Sequence, residues 1–219
     1  MAESTVCAIF PIPIYITECD IDISNAVDFL KSNHQLLPNN YAHIYGNKSV
    51  DDYLLDHTEC RELKQFILHH VEKYADQIMA WSFERFEITQ SWLTIKNSNE
   101  EHGLHYHANS VVSGVFYFDN YTDTTSNLVF HRPAIISQLM NQFAPVTDKR
   151  KMNNTEFPWN EWEVRPQTNR LVLFPSWLSH SVKTNNTQDP RKCLAFNAVP
   201  TNKFGSRTDA TEIDFKRLT

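Results

Sequence analysis

The sequence predicts an α+β fold: N-terminal helices packed outside a β-barrel or double-sheet jelly roll. Three observations predict it. The long runs of helically spaced apolar residues come before Phe83. From Phe83 the apolar period changes to two, in seven or eight short runs separated by polar turns. No repeat, low-complexity segment or linker divides the chain, and 219 residues suit a single domain with a sizeable core. Within it, residues 1–85 form the helical N-terminal part and 86–200 the β core.

Taken in order, Val6 to Thr17 alternates apolar residues with Pro11 and Pro13. Proline denies a ladder hydrogen bond, so an edge strand or extended arm is expected. Asp20 to Ser32 reads as a helix, with Ser24 placed to cap it and Ala26, Val27, Phe29 and Leu30 as its apolar face. Leu36 to Asp56 is a polar connection with a short helical turn near Tyr53. Thr58 to about Trp81 is the strongest helix, since Leu63, Phe66, Ile67, Val71 and Tyr74 recur at three and four residues. Phe86 to Ile95 is a strand. His105 to Phe118 reads as the next, and Leu128 to Phe130 as a short one. Residues 131–160 form a long loop, with a helix at Ile135 to Gln142. Trp162 to Pro166, Arg170 to Pro175, Trp177 to Thr184 and Arg191 to Ala198 complete the strands. The tail from Thr201 reads as peripheral.

The composition is globular, with 41% hydrophobic and 12% aromatic residues. The net charge is -6 and no basic stripe appears, which argues against a nucleic-acid partner. Cys7, Cys19, Cys60 and Cys193 are scattered and read as free thiols in a reducing compartment. No signal peptide or membrane-length apolar run is seen, so a cytoplasmic protein is expected. A homodimer is the default assembly.

Chemistry concentrates in Glu101 to Ser110. Three of the ten histidines fall between His102 and His107. On extended backbone His105 and His107 would point to one side and converge on one ion. His180 lies far downstream. Two close ligands plus a distant one make a three-ligand site with open positions, which suits catalysis. Arg191 follows eleven residues after His180, and a turn at 185–190 would return it beside that strand. A buried arginine near a metal needs an anion, and an organic carboxylate matches its fork. Metal, oxo acid and arginine together describe a 2-oxoglutarate site.

The stretches HYHANSVVSGVFYF, RLVLFPSWLSHSV and RKCLAFN resemble a 2-oxoglutarate/Fe(II)-dependent oxygenase family with HxHxxSxxSGVYY, GxLVLFPSWLxH and RxSxxFN signatures. Asn169 and Cys193 depart from its glycine and serine. The resemblance implies a double-stranded β-helix (jelly-roll, cupin-like) fold, Fe(II), 2-oxoglutarate and O₂. It implies His105, His107 and His180 as metal ligands, Arg191 on the far carboxylate of the cosubstrate, and the Tyr117 hydroxyl against that same carboxylate, unless Tyr117 is a packed aromatic of its strand. It further implies decarboxylation to succinate with hydroxylation of an unidentified substrate. His107 stands where the wider superfamily has a carboxylate. A second registration makes His107 the first ligand and puts Asn109 in the carboxylate slot. His102 reads as a loop histidine, and Trp92, Phe116, Phe174 and Trp177 read first as core aromatics and otherwise as lining or backing the pocket. Two other readings are carried: a three-histidine cupin-type metalloenzyme that does not use 2-oxoglutarate, and a non-catalytic jelly-roll binding or assembly protein.

Overall fold

Alternating side chains build two antiparallel sheets that share a core. The structure is a computed structural model in which residues 11–32, 34–38, 45–133 and 160–217 are described. Eleven strands are present among them: β1 (Tyr15–Glu18), β2 (Asn47–Lys48), β3 (Phe83–Lys96), β4 (His102–His105), β5 (Val112–Tyr117), β6 (Leu128–His131), β7 (Glu161–Val164), β8 (Arg170–Pro175), β9 (His180–Val182), β10 (Arg191–Phe204) and β11 (Ile213–Asp214). The larger sheet runs β1-β8-β5-β10-β3-β2, with β11 paired to β10. The smaller runs β4-β9-β6-β7.

Two helices cover the outer face of the larger sheet. Helix α1 (Ser24–Lys31) buries Ala26 and Leu30, and helix α2 (Arg61–Lys73) buries Leu63, Phe66, Ile67 and Val71. Ser24 does not cap α1. It is the first helical residue, Ile23 holds the cap position, and the Ser24 N–H donates to Asp22 Oδ1 at 3.0 Å. The long helical pattern ends as a π-turn at Tyr74–Ile78, where Met79 N donates to Tyr74 O at 3.0 Å.

Each central strand contributes to two cores. Val112 and Phe116 of β5, Leu171 and Leu173 of β8, and Leu194, Phe196 and Ala198 of β10 pack toward the helices. The intervening Val115 and Tyr117, Val172 and Phe174, and Cys193 pack toward the smaller sheet, meeting Leu128, Phe130, Val164 and Val182. Gly114 is required in this arrangement. A Cβ there would lie 2.2 Å from Phe196 Cζ and 2.8 Å from Leu173 Cδ2, its partners on the two flanking strands.

Several expectations are corrected. His105 to Phe118 is not one strand: β4 ends at His105, and β5 begins at Val112 in the other sheet. The segment 185–190 is not a hairpin turn, because it carries the chain from β9 in one sheet to β10 in the other. Arg191 therefore pairs with Lys96 of β3, not beside β9. The arm at Tyr15–Glu18 is an edge strand of the larger sheet. The tail after Thr201 includes the end of β10 and all of β11. The expected helix at 135–142 and Cys7 lie outside the described residues. Cys19, Cys60 and Cys193 are free and buried.

Candidate active site

The site lies between the sheets and is assembled from three separate stretches. His105 and His180 are partners in register on β4 and β9. His107 arrives by another route. The chain leaves β4 after His105, and the His107 N–H donates to the Ser176 carbonyl at 2.9 Å, immediately beyond Pro175 at the end of β8. Strand periodicity thus does not bring His105 and His107 together; a loop anchored on β8 does. The intervening Tyr106 is 61% exposed, as side chains pointing away from the cavity must be.

One ring nitrogen from each of His105, His107 and His180 lies within 4.8 Å of the others. Their electrostatics suit a metal. His105 Nδ1 lies 2.8 Å from the Gly103 carbonyl and His180 Nδ1 2.9 Å from the Leu178 carbonyl. A carbonyl only accepts, so each Nδ1 carries the hydrogen and each Nε2 keeps a free lone pair. Burial holds all three rings neutral. It lowers His105, brings His107 down to about 4 and His180 down to about 3, with the neighbouring His105 adding to the last two. A side-chain hydrogen bond between His107 and Asn197 opposes the His107 shift. Asn197 is fixed in turn by Ser113 Oγ, which donates to its Oδ1 at 2.9 Å. Ser113 joins Ser176, and Ser176 joins Ser110, each at 2.8 Å. The two serines of the HxHxxSxxSG stretch thus tie the histidine loop to β8 and β10.

Asn109 is not in this group. It is exposed, and its Nδ2 donates to Gln90 Oε1 at 3.2 Å. His102 lies closer than a loop histidine would, its ring stacked on His105 at 4.1 Å and 12°.

Arg191 is 2% exposed. Its Nε donates to the Ser126 carbonyl (3.0 Å), Nη1 to Cys193 Sγ (3.3 Å) and Nη2 to the Tyr117 hydroxyl (3.0 Å). None of these is an anion, and Arg191 makes no ion pair among the described residues. Burial pushes the Tyr117 hydroxyl up to about 12, so it stays protonated. Having accepted from Arg191, it retains its hydrogen for an incoming acceptor. Arg191 and the three histidines line one cavity of about 50 Å³, with Trp92 and Phe174 among its walls. Phe116 faces the helices instead, and Trp177 is 55% exposed. No Asp or Glu lines the cavity.

Residues 90–197 match the family described as "Putative 2OG-Fe(II) oxygenase". This segment belongs to the 2OG-Fe(II) oxygenases. It runs from the second half of β3 to the first half of β10 and contains every residue discussed in this site. Solved structures share the fold. HygX from Streptomyces hygroscopicus, with nickel and 2-oxoglutarate bound, matches with a TM-score of 0.59 at 10% identity, covering 87% of this chain and 84% of that one. The non-heme alpha ketoglutarate dependent epimerase SnoN, from nogalamycin biosynthesis, matches at 0.58 and 10%, covering 89% and 82%. A Pseudomonas putida prolyl-4-hydroxylase matches at 0.53 and 13%, covering 85% and 92%. At such identities these likenesses speak for the fold alone. No curated protein matches the chain in sequence.

The donor set fits the family's two requirements. Three neutral imidazoles offer a metal their lone pairs, and a buried guanidinium without an anionic partner offers a carboxylate its charge. Sequence reasoning missed Lys96, which is fully buried beside Arg191, and Asn197, which supports His107. Its one available signal for Asn197 was the final position of the RKCLAFN stretch.

Proposed function

We propose that the chain is a single-domain Fe(II)/2-oxoglutarate-dependent dioxygenase that hydroxylates its substrate while converting 2-oxoglutarate to succinate. In this reading His105, His107 and His180 hold the iron. Arg191 and Tyr117 hold the far carboxylate of 2-oxoglutarate. One observation carries the proposal: a buried arginine lacking an anion opens on the cavity where three neutral imidazoles converge. The strand orders β8-β5-β10-β3 and β4-β9-β6-β7 support a double-stranded β-helix. Nickel and 2-oxoglutarate in HygX, and Fe3+ and alpha ketoglutarate in SnoN, support the pair of ligands.

Bound iron and oxo acid supply the activation of O₂ and the oxidation of a C–H bond. The protein's own residues bind, orient and exclude water. Gly103 and Leu178 carbonyls fix two imidazoles as acceptor-ready tautomers. The Ser110–Ser176–Ser113–Asn197 network holds the third. Arg191 sets the oxo acid's direction by taking its distal end, and Phe174, packed on the His180 ring, screens the metal end from water. With imidazole in place of the superfamily's carboxylate, the dianionic cosubstrate supplies the charge that the ligand set lacks.

The test is succinate formation from 2-oxoglutarate with added Fe(II). His180→Ala abolishes it. Arg191→Ala raises the 2-oxoglutarate requirement about a hundredfold, the cost of losing one desolvated charge contact. Unchanged turnover in Arg191→Ala would point to three-histidine chemistry without the oxo acid. Absence of both metal and 2-oxoglutarate binding would point to a non-catalytic binding protein.

A further inference from the structure

Lys96 and His102 are not used by the site as built above. Lys96 ends β3, is 0% exposed and is the register partner of Arg191. Its Nζ contacts the Tyr45 carbonyl at 3.3 Å and His102 Nδ1 at 3.2 Å. No carboxylate pairs with it among the ion pairs of the described residues. In its ammonium form Lys96 only donates, so His102 Nδ1 then accepts and the His102 hydrogen sits on Nε2. The ring lies flat on His105 and lines the same cavity as the three histidines and Arg191. Burial and the neighbouring Arg191 lower the Lys96 pKa, and in its ammonium form the charge has no anion beside it. Through His102 that charge reaches the cavity as a polarised N–H.

We propose that His102, oriented and polarised by Lys96, donates its Nε2–H to the metal-side carboxylate of the oxo acid. The inference rests on the proposed function. Arg191 and Tyr117 serve the far carboxylate, whereas His102 is stacked on one of the three histidines and so serves the near one. Lys96 is a positioning residue, since it acts through His102.

Binding of 2-oxoglutarate and of oxalate to the full chain loaded with Zn(II), measured by calorimetry, tests this without turnover. Oxalate mimics the metal-side end and lacks the distal carboxylate. His102→Phe keeps a flat ring and loses the donor. It weakens both ligands about tenfold, the scale of one charge-assisted hydrogen bond, and leaves Zn(II) affinity within about twofold. Lys96→Met weakens both by about threefold, because the donor remains but loses its polarisation. His102→Gln, which returns an N–H, recovers part of the loss. Unchanged oxalate affinity in His102→Phe overturns the proposal. So does loss of Zn(II) affinity in proportion, which would place His102 on the metal instead. If His102→Phe fails to fold, Lys96→Met and His102→Gln decide by the same criteria. A wild-type chain that binds neither Zn(II) nor 2-oxoglutarate would instead remove the dioxygenase reading on which this rests.

Discussion

Strand β10 presents two opposite faces, and they differ in what they tolerate. Toward the helices it sets Leu194, Phe196 and Ala198 into a wholly apolar core. Toward the smaller sheet it sets Arg191, Cys193, Ala195 and Asn197, of which two are buried polar groups. The outer face gains stability from removed surface, at roughly 1.5–3 kcal/mol for each large apolar side chain. The inner face gives up that gain: Arg191 and Lys96 are desolvated side by side, and burial together with Arg191 brings Lys96 down to about 7. One strand thus separates the work of holding the fold from the work of carrying buried charge.

Substitutions on the two faces sharpen this contrast. The largest effect on stability is expected on the outer face. Phe196→Ala removes the ring that fills the space above Gly114 and is expected to cost about 3–5 kcal/mol in denaturant unfolding. A loss below about 1 kcal/mol would break the division, by showing that the outer face is not what holds the sheet to the helices. On the inner face, Tyr117→Phe deletes only a hydroxyl. The expected result is about a tenfold weaker 2-oxoglutarate affinity with unfolding free energy changed by less than about 1 kcal/mol. Equal loss in both measurements would give Tyr117 a structural role alone. The smallest effect is expected outside both faces. Asn109→Ala should leave metal affinity unchanged in a direct titration, because Asn109 turns outward to Gln90. A clear loss of metal there would restore the registration in which Asn109 replaces His105.

The chemistry was more legible in the sequence than the path of the chain. His105 and His107 stand out as a histidine cluster ahead of the apolar run from Val111, His180 follows the run Leu171–Pro175 and Arg191 opens the run to Ala198, and these placements are visible locally. Tyr117 was reachable only through the family resemblance, because a tyrosine in an apolar strand looks like packing. The break between β4 and β5 was hidden by the continuous apolar run from Val111 onward. Ala108-Asn109-Ser110 carried the turn signal, but the histidine spacing also suited a strand. The crossing from β9 to β10 has no local signature, since a polar turn serves a hairpin and a sheet change alike. Lys96 was illegible for the same reason: a lysine at the end of a strand ordinarily reaches solvent, and only tertiary placement under Tyr45 and Gly46 encloses it.

The hydrogen bond from His107 to Ser176 joins residues far apart along the chain, and it sets when the site comes into being. Pairing of this kind must wait for long loops to close, which makes it a late event as the chain folds. His105 must find His180 on β9, and His107 must find the end of β8, before three imidazoles share a centre. A partly folded chain therefore holds its histidines apart and has no high-affinity place for a metal. Any ion that binds the gathered set selects the finished fold and, by mass action, slows its return to the unfolded chain.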